Sequence, residues 1–235
     1  MDFFSAIEER RSCRLYTSES IPESVVQKAL DAALLAPNSS NMQCWSFYWV
    51  RSAEAKSKLI EACLVQSAAK TAAELIVCVA DLEKWRANRA AIVDTLAPLV
   101  ASGAVSPSAL AYYNKLVPLM YSYGPFNSVG YFKKVAMFVR GLFSPTPRGP
   151  GTKAEILEML VKSCALACEN LMLAFAAQGY GSCPMEGFDE CRVKKLLGLG
   201  CKSRVVMVVS AGKVDPKGIW GARFRVPRDR QVHLV

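Results

Sequence analysis

Along the first third of this chain, apolar residues recur at helical spacing, interrupted by two runs of strand-like composition. The helical spacing predicts three helices, over residues 2–11, 20–36 and 54–68. The two runs are rich in aromatic and β-branched residues and predict strands over residues 45–50 and 75–80. Ser20, Pro22 and Glu23 have the spacing of a capping box, so we expect the second helix to begin there.

One long apolar helix dominates the second half. Residues 153–178 are apolar around most of the predicted helix, which is typical of a helix at the centre of a fold. The helix ends at Gly179 and a short strand follows. A further helix over residues 189–197 and a buried strand over 203–211 complete the pattern.

Residues 82–150 are the least regular part of the pattern. Their periodicity predicts helices over 82–100 and 108–120, and residues 131–143 form a basic amphipathic run. Such a run is typical of a helix on a membrane surface, or of a helix over a cleft or against a second subunit, and we favour the latter. We expect one domain over residues 1–235, with a variable helical segment at about 82–150. Strands that alternate with long helices predict a mixed α/β or α+β fold built on one sheet.

Composition excludes several classes of protein. The net charge of +9 indicates a basic surface or an anionic ligand, but no basic run with interleaved aromatic residues points to nucleic acid. Nine cysteines without a CxxC pair, and a single histidine, argue against a zinc site or a disulfide framework and favour a reducing cytoplasm. Because the N-terminus lacks the regions of a signal peptide and no apolar run is long enough to span a bilayer, we expect no stable membrane association.

Catalytic side chains of the usual kinds are scarce. One histidine leaves little for a Ser/His/Asp device, and there is no Walker A motif, so a cofactor carries the chemistry or there is none. Arg10, Ser12 and Arg14 alternate, and would share one face of an extended segment. Arg223 and Arg225 repeat this spacing. Either arginine pair alone is more typical of solvated surface charge. If the two pairs converge in the fold, they would bind a phosphate.

Two further stretches stand between these arginines. Asn38-Ser-Ser-Asn-Met-Gln43 is, alone, most typical of a solvated turn. Gly179-Tyr-Gly-Ser-Cys-Pro-Met-Glu-Gly-Phe-Asp189 holds backbone groups at the end of the apolar helix. In this order, and with both arginine motifs, these stretches resemble the FMN-dependent nitroreductase family. The resemblance implies an α+β fold, an α-β-α sandwich with a mostly antiparallel central sheet, and an intertwined homodimer with FMN at the interface.

The resemblance also assigns roles to individual residues. Those expected at the FMN phosphate, ribityl chain and pyrimidine edge are Arg10, Ser12 and Arg14, with Arg11 contributing backbone. Those expected to reach the flavin from the other subunit are Asn38, Ser39 and Asn41, with Gln43 a weaker candidate. Those expected along one side of the ring, with backbone N–H groups facing N5 and O4, are Pro184, Met185, Glu186 and Gly187. Those expected to clamp the phosphate are Arg223 and Arg225.

The implied activity is hydride transfer from NADH or NADPH to flavin N5, followed by reduction of a nitroaromatic, quinone or related acceptor in a ping-pong cycle. No side chain is expected to be an essential acid or base. Residues 82–150 would cap the pocket and select the acceptor. A second interpretation is a flavin-binding relative that sequesters or modifies flavin without reducing an external acceptor. Cys183, beside the ring motif, is expected to be an inert buried thiol rather than a redox group.

Overall fold

A computed structural model describes all residues, 1–235, and shows one four-stranded sheet. Its strands are β1 (Trp45–Val50), β2 (Glu74–Asp81), β3 (Gly181–Met185) and β4 (Ser203–Gly212). Their order across the sheet is β1-β2-β4-β3, and every neighbouring pair is antiparallel. The predicted α+β class with an antiparallel sheet is confirmed.

Ten α-helices accompany the sheet. They are α1 (Phe3–Glu9), α2 (Glu23–Leu34), α3 (Ala53–Ala62), α4 (Ser67–Lys70), α5 (Trp85–Ala101), α6 (Pro107–Ala111), α7 (Val117–Tyr121), α8 (Ser128–Arg140), α9 (Lys153–Ala177) and α10 (Glu190–Leu197). Short 3₁₀ turns over residues 39–41, 82–84, 125–127 and 228–230, and a π turn over 112–116, complete the elements.

The sheet separates two apolar cores because side chains alternate along each strand. On β2, Ile76 and Cys78 face the larger core, to which α2 and α9 contribute. Val77 and Val79 face the smaller core, to which α3 and α10 contribute. Because β2 is buried on both faces, its sequence is a continuous apolar run. The fold therefore has the expected three layers, with helices on each side of one sheet.

The central helix is α9. The Glu155 N–H donates to the Thr152 hydroxyl, and the Thr152 N–H donates to the Glu155 carboxylate, so the first turn is closed by a capping box. By length and composition this helix would suffice to cross a membrane, but its buried side chains belong to the larger core and it contacts β2, β3 and β4. Leu166 and other apolar side chains on its outer face remain exposed.

Two local predictions are wrong. The capping box at Ser20 does not form, and α2 begins after Pro22 with no side-chain cap. The helix predicted over residues 54–68 ends at Ala62, since Leu64 and Val65 adopt left-handed backbone angles, with φ of +58° and +54°. The helix predicted over 108–120 is confirmed, because α6, the π turn and α7 form one continuous helical run.

Candidate active site

A basic pocket of about 180 Å³ gathers residues from both ends of the chain. Its lining residues are Arg10, Arg11, Ser12, Arg14, Trp220 and Arg225. Five of these six were predicted from the sequence as site residues. The pocket presents four guanidinium groups and no carboxylate, which fits an anion such as a phosphate better than any neutral ligand.

The N-terminal arginines are held in place by the main chain. After α1 the backbone becomes extended, and Ser12 pairs with Ser182 of β3 as a parallel bridge. The Cys13 N–H donates to the Ser182 carbonyl at 3.0 Å, and the Arg14 N–H donates to the Gly218 carbonyl at 2.7 Å. The segment is therefore an addition to the edge of the sheet, and its alternation places Arg10, Ser12 and Arg14 on one side, as predicted.

Three of the pocket arginines have neighbours that orient their side chains. The Arg14 guanidinium lies over the Trp220 ring, 4.7 Å from its centroid, which leaves its N–H groups free at the edges. Arg11 Nη2 donates to the Gly221 carbonyl at 3.1 Å. Arg10 Nε lies 3.9 Å from a Glu169 carboxylate oxygen, a distance too long for a strong ion pair.

The two C-terminal arginines differ in their surroundings. Arg225 lines the pocket. Arg223 does not, and its Nη2 donates instead to the Arg10 carbonyl at 2.7 Å. In one chain, therefore, Arg223 fixes the backbone that bears Arg10, and Arg225 supplies the charge. Direct contact of Arg223 with a phosphate stays a prediction.

The segment Pro184–Gly187, which the sequence predicts to lie along the flavin ring, carries free main-chain donors where it leaves β3. Met185 is buried, whereas Glu186 and Gly187 are exposed, and the N–H groups of these two residues donate no hydrogen bond within the chain. Gln66 Nε2 donates to the Gly187 carbonyl at 2.5 Å and to the Cys63 carbonyl at 3.0 Å. Gln66 thus holds the Gly187 carbonyl in place, while the neighbouring N–H groups of Glu186 and Gly187 have no partner. Free donors of this kind can bind a ligand that is rich in acceptors.

Cys183 is not an activated nucleophile. Burial raises the pKa of its thiol, and the nearby Arg14 and Arg10 guanidiniums and the Ser12 hydroxyl oppose this only in part. At neutral pH the group is a buried neutral thiol, consistent with the inert role expected for it.

The loop Asn38–Gln43 lies elsewhere on α9. The Ser39 N–H donates to Ser163 Oγ at 3.2 Å, and the Gln43 N–H donates to Asn38 Oδ1 at 2.7 Å. The pocket, by contrast, adjoins a cavity whose lining includes Ala176. At 1.5 Å per residue, Ser163 is roughly 20 Å along the helix from Ala176 and roughly 9 Å from Glu169, which Arg10 approaches, and no residue of the loop lines the basic pocket. Within one chain, the structure does not bring this loop to the basic pocket.

The loop is rigid and strained. Ser40, Asn41 and Gln43 all adopt left-handed backbone angles, with φ between +49° and +56°. Hydrogen bonds from the two tyrosines of the π turn secure it: Tyr112 OH lies 2.6 Å from Ser40 Oγ, and Tyr113 OH donates to the Ser40 carbonyl at 3.0 Å. Such strain persists where the surroundings over-determine it, and it concentrates at functional sites.

Comparison with known proteins identifies the family. The model of the nitroreductase family matches residues 7–213. The chain belongs to the nitroreductase family. An NADH dehydrogenase of Thermus thermophilus is 27% identical to it over 232 residues, which cover 99% of this chain and 95% of that protein.

Solved structures share the fold of this family member. A candidate NAD(P)H:FMN oxidoreductase from Staphylococcus epidermidis superposes with a TM-score of 0.74 at 20% identity, covering 100% of this chain and 96% of the other. A candidate nitroreductase from Exiguobacterium sibiricum, solved in complex with FMN, has a TM-score of 0.68 at 24% identity over 96% and 94%.

Several residues around the candidate site were not predicted from the sequence. Trp220 stacks on Arg14, Gln66 holds Gly187, and Gly218 accepts from the Arg14 N–H. Gln66 carried no signal, because its role depends on the break between α3 and α4. Trp220 offered a weak signal, since a tryptophan close to two glycines, Gly218 and Gly221, is unusual in a polar tail.

Proposed function

We propose that this protein is an FMN-dependent oxidoreductase that takes hydride from NADH or NADPH and passes reducing equivalents to a small acceptor. The observation that carries the proposal is the pocket of four guanidiniums beside β3. It is followed along the chain by the free N–H groups of Glu186 and Gly187. One part suits a phosphate and the other suits the acceptor-rich edge of a flavin. The FMN complex among the structural neighbours and the NADH dehydrogenase among the relatives support the same assignment.

When bound, FMN supplies a ring position that accepts hydride, and the chain supplies binding and orientation. Arg10, Arg14 and Arg225 would neutralise the phosphate, while Ser12 would add a hydroxyl donor. The N–H groups of Glu186 and Gly187 would donate to the acceptor-rich edge of the ring and hold it beside β3. No buried carboxylate or histidine adjoins the pocket, so protons come from solvent.

A second copy of the chain would complete the site. Asn38, Ser39 and Asn41 do not line the basic pocket of their own chain, and the outer face of α9 leaves Leu166 exposed. A homodimer in which α9 packs against a second copy buries that face and offers the loop of one subunit to the flavin of the other. The loop's fixed backbone suits this role because its polar side chains need no reordering.

An absorption spectrum of the purified protein tests the proposal, followed by anaerobic titration with NADH and NADPH. We expect flavin bands, their bleaching by one or both donors, and recovery on addition of a quinone or nitroaromatic. Protein that remains colourless after added FMN contradicts the proposal. Flavin that is bound but never turned over with any acceptor favours a flavin-binding relative without reductase activity.

A further inference from the structure

Helix α8 exposes a continuous apolar face. At 100° per residue, Phe132, Val135 and Val139 fall within one narrow sector, and Leu142 and Phe143 continue it through the following turn. All five side chains are exposed, Phe132 by 76% and Phe143 by 86%. Single exposed apolar residues need no explanation, but a contiguous stripe with two phenylalanines marks a surface that meets something apolar.

The opposite face of α8 is anchored to the protein. Gly130 packs so closely on Gly151 that a Cβ there would come within 2.5 Å of the Gly151 carbonyl oxygen. Lys133 is buried, and its Nζ donates to the carbonyls of Leu119, Met120 and Ser122 at 2.9, 3.2 and 2.6 Å. The orientation of the helix is thus fixed, and its apolar stripe is directed away from the chain.

A further aromatic residue precedes the helix. Phe126 is 98% exposed, in a turn where its φ is +49° and that of Asn127 is +62°. Left-handed angles are unfavourable for a bulky residue. The turn nevertheless holds the ring fully in solvent beside the start of α8.

The charge around this stripe has one sign. Between Asp94 and Glu155 there is no acidic residue, while the same stretch holds six basic ones. Arg140 and Arg148 lie at the C-terminal end of α8 without an ion-pair partner. Arg148 Nη2 donates to the Gly141 carbonyl at 3.1 Å, and its guanidinium lies 5.9 Å from the Phe138 ring. An exposed apolar stripe is therefore bordered by unneutralised cations.

We infer that α8 docks this protein on an anionic lipid bilayer. Phe132, Val135 and Phe143 would enter the headgroup region, and Arg140 and Arg148 would contact lipid phosphates, the arrangement of an interfacial amphipathic helix. A second copy docked stripe against stripe is the weaker occupant, because it brings the same acid-free segment and the same arginines. Docking of this kind departs from the sequence-based expectation of no stable membrane association, which rested on the absence of a spanning segment.

Sedimentation of the purified full chain with vesicles tests the inference. We expect binding to vesicles of phosphatidylglycerol and phosphatidylethanolamine in equal parts, much weaker binding to pure phosphatidylcholine, and a decrease with added salt. Phe132→Ser with Phe143→Ser lowers the affinity at least tenfold. Arg140→Gln with Arg148→Gln lowers it roughly 25-fold, at about a fivefold loss for each charge.

Matched controls separate this surface from the rest. Phe4→Ser and Arg51→Gln change an exposed phenylalanine and an exposed arginine away from α8, and we expect both to bind as the wild type does. Should the phenylalanine double variant not fold, Phe132→Trp gives an independent readout. Its fluorescence is quenched by brominated lipids more strongly than that of Phe4→Trp.

Two outcomes overturn the inference. One is equal or absent binding to anionic and neutral vesicles. The other is unchanged vesicle binding by the phenylalanine double variant while sedimentation velocity shows loss of a dimer. In that case the stripe is covered by a second copy.

Discussion

The basic pocket and the helices from α5 to α8 are attached to the core in different ways. The pocket takes residues from chain positions as distant as Arg10 and Arg225, and main-chain hydrogen bonds tie them to β3 and to Gly218. Helices α5 and α7 reach the larger core through Trp85, Val117 and Tyr121, whereas α8 contributes no side chain to that core and is anchored by a few contacts such as those of Lys133. Sequence changes in the pocket therefore disturb the sheet, whereas α8 can change its outer surface without cost to the fold.

A methyl group at Gly218 is the most severe test of the pocket's rigidity. A Cβ there would lie 2.3 Å from the Leu15 carbonyl oxygen and 2.9 Å from Cys13 Sγ. We expect Gly218→Ala to lower the free energy of unfolding by about 3 kcal/mol, because the backbone must move. Gly200→Ala is the matched control, since its Cβ meets nothing within 4 Å. Urea unfolding measures both, and equal stability would show that the corner is compliant.

Loss of one guanidinium probes the pocket's charge. Arg14→Gln removes a charge-assisted donor, so we expect FMN affinity to fall roughly 10- to 100-fold. Fluorescence titration of the flavin-free protein measures the change. Arg51→Gln serves as control, because Arg51 pairs with exposed Glu23 far along the chain. An unchanged affinity would place the phosphate elsewhere.

Replacement of Lys133 tests how α8 is attached to the rest of the protein. Lys133→Met leaves the carbonyls of Leu119, Met120 and Ser122 without their donor, and we expect it to lower the free energy of unfolding by about 1–2 kcal/mol. Since α8 is attached locally, we expect faster amide exchange in α7 and α8 and unchanged protection in β4. Lys134→Met, which removes only an exposed ion pair with Glu155, should have a smaller effect. Uniform loss of protection would mean that α8 is coupled to the sheet.

The smallest effect is a pH dependence at the start of α9. The Lys134 ammonium and the N–H groups of Gly151 and Thr152 lower the pKa of Glu155 from 4.5 to about 2. A depressed carboxyl pKa stabilises the fold above pH 4.5, and that contribution is lost as the pH falls from 4.5 towards 2. Because this carboxylate is solvated, we expect less than about 1 kcal/mol.

Glu155→Gln keeps an acceptor for the capping box but not the charge. Unfolding followed from pH 7 to pH 2 should show a small loss for this variant at pH 7 and none at pH 2. A constant difference at every pH would assign the effect to capping alone.

The sequence predicted the sheet strands, the central helix and most of the basic pocket, because each rests on a local signal. Periodicity marked β2 and α9, and alternation placed Arg10, Ser12 and Arg14 on one face. The break at Leu64 and Val65 had no such signal, since neither leucine nor the β-branched valine commonly adopts left-handed angles. Gln66 acts through that break and was missed with it.

The different roles of Arg223 and Arg225 could not be predicted from the sequence either. Their i, i+2 spacing predicts the same role for both, and they differ only because Arg223 reaches the Arg10 carbonyl, whose position is set by the end of α1. The exposure of α8 was hidden for a similar reason. An amphipathic pattern shows that a helix has two faces, but it does not show which face the chain itself covers.

The bond from Arg14 to Gly218 has a consequence for how the protein is made. Its two residues are about 200 positions apart, so a ribosome adding roughly 5–20 residues per second needs about 10–40 s to pass from one to the other. The partner strand β3 is made late in that interval, and Trp220, on which Arg14 stacks, is made after it. The anion pocket is completed only when Trp220 and Arg225 have been made, so flavin uptake would report the arrival of those residues rather than the folding of the first.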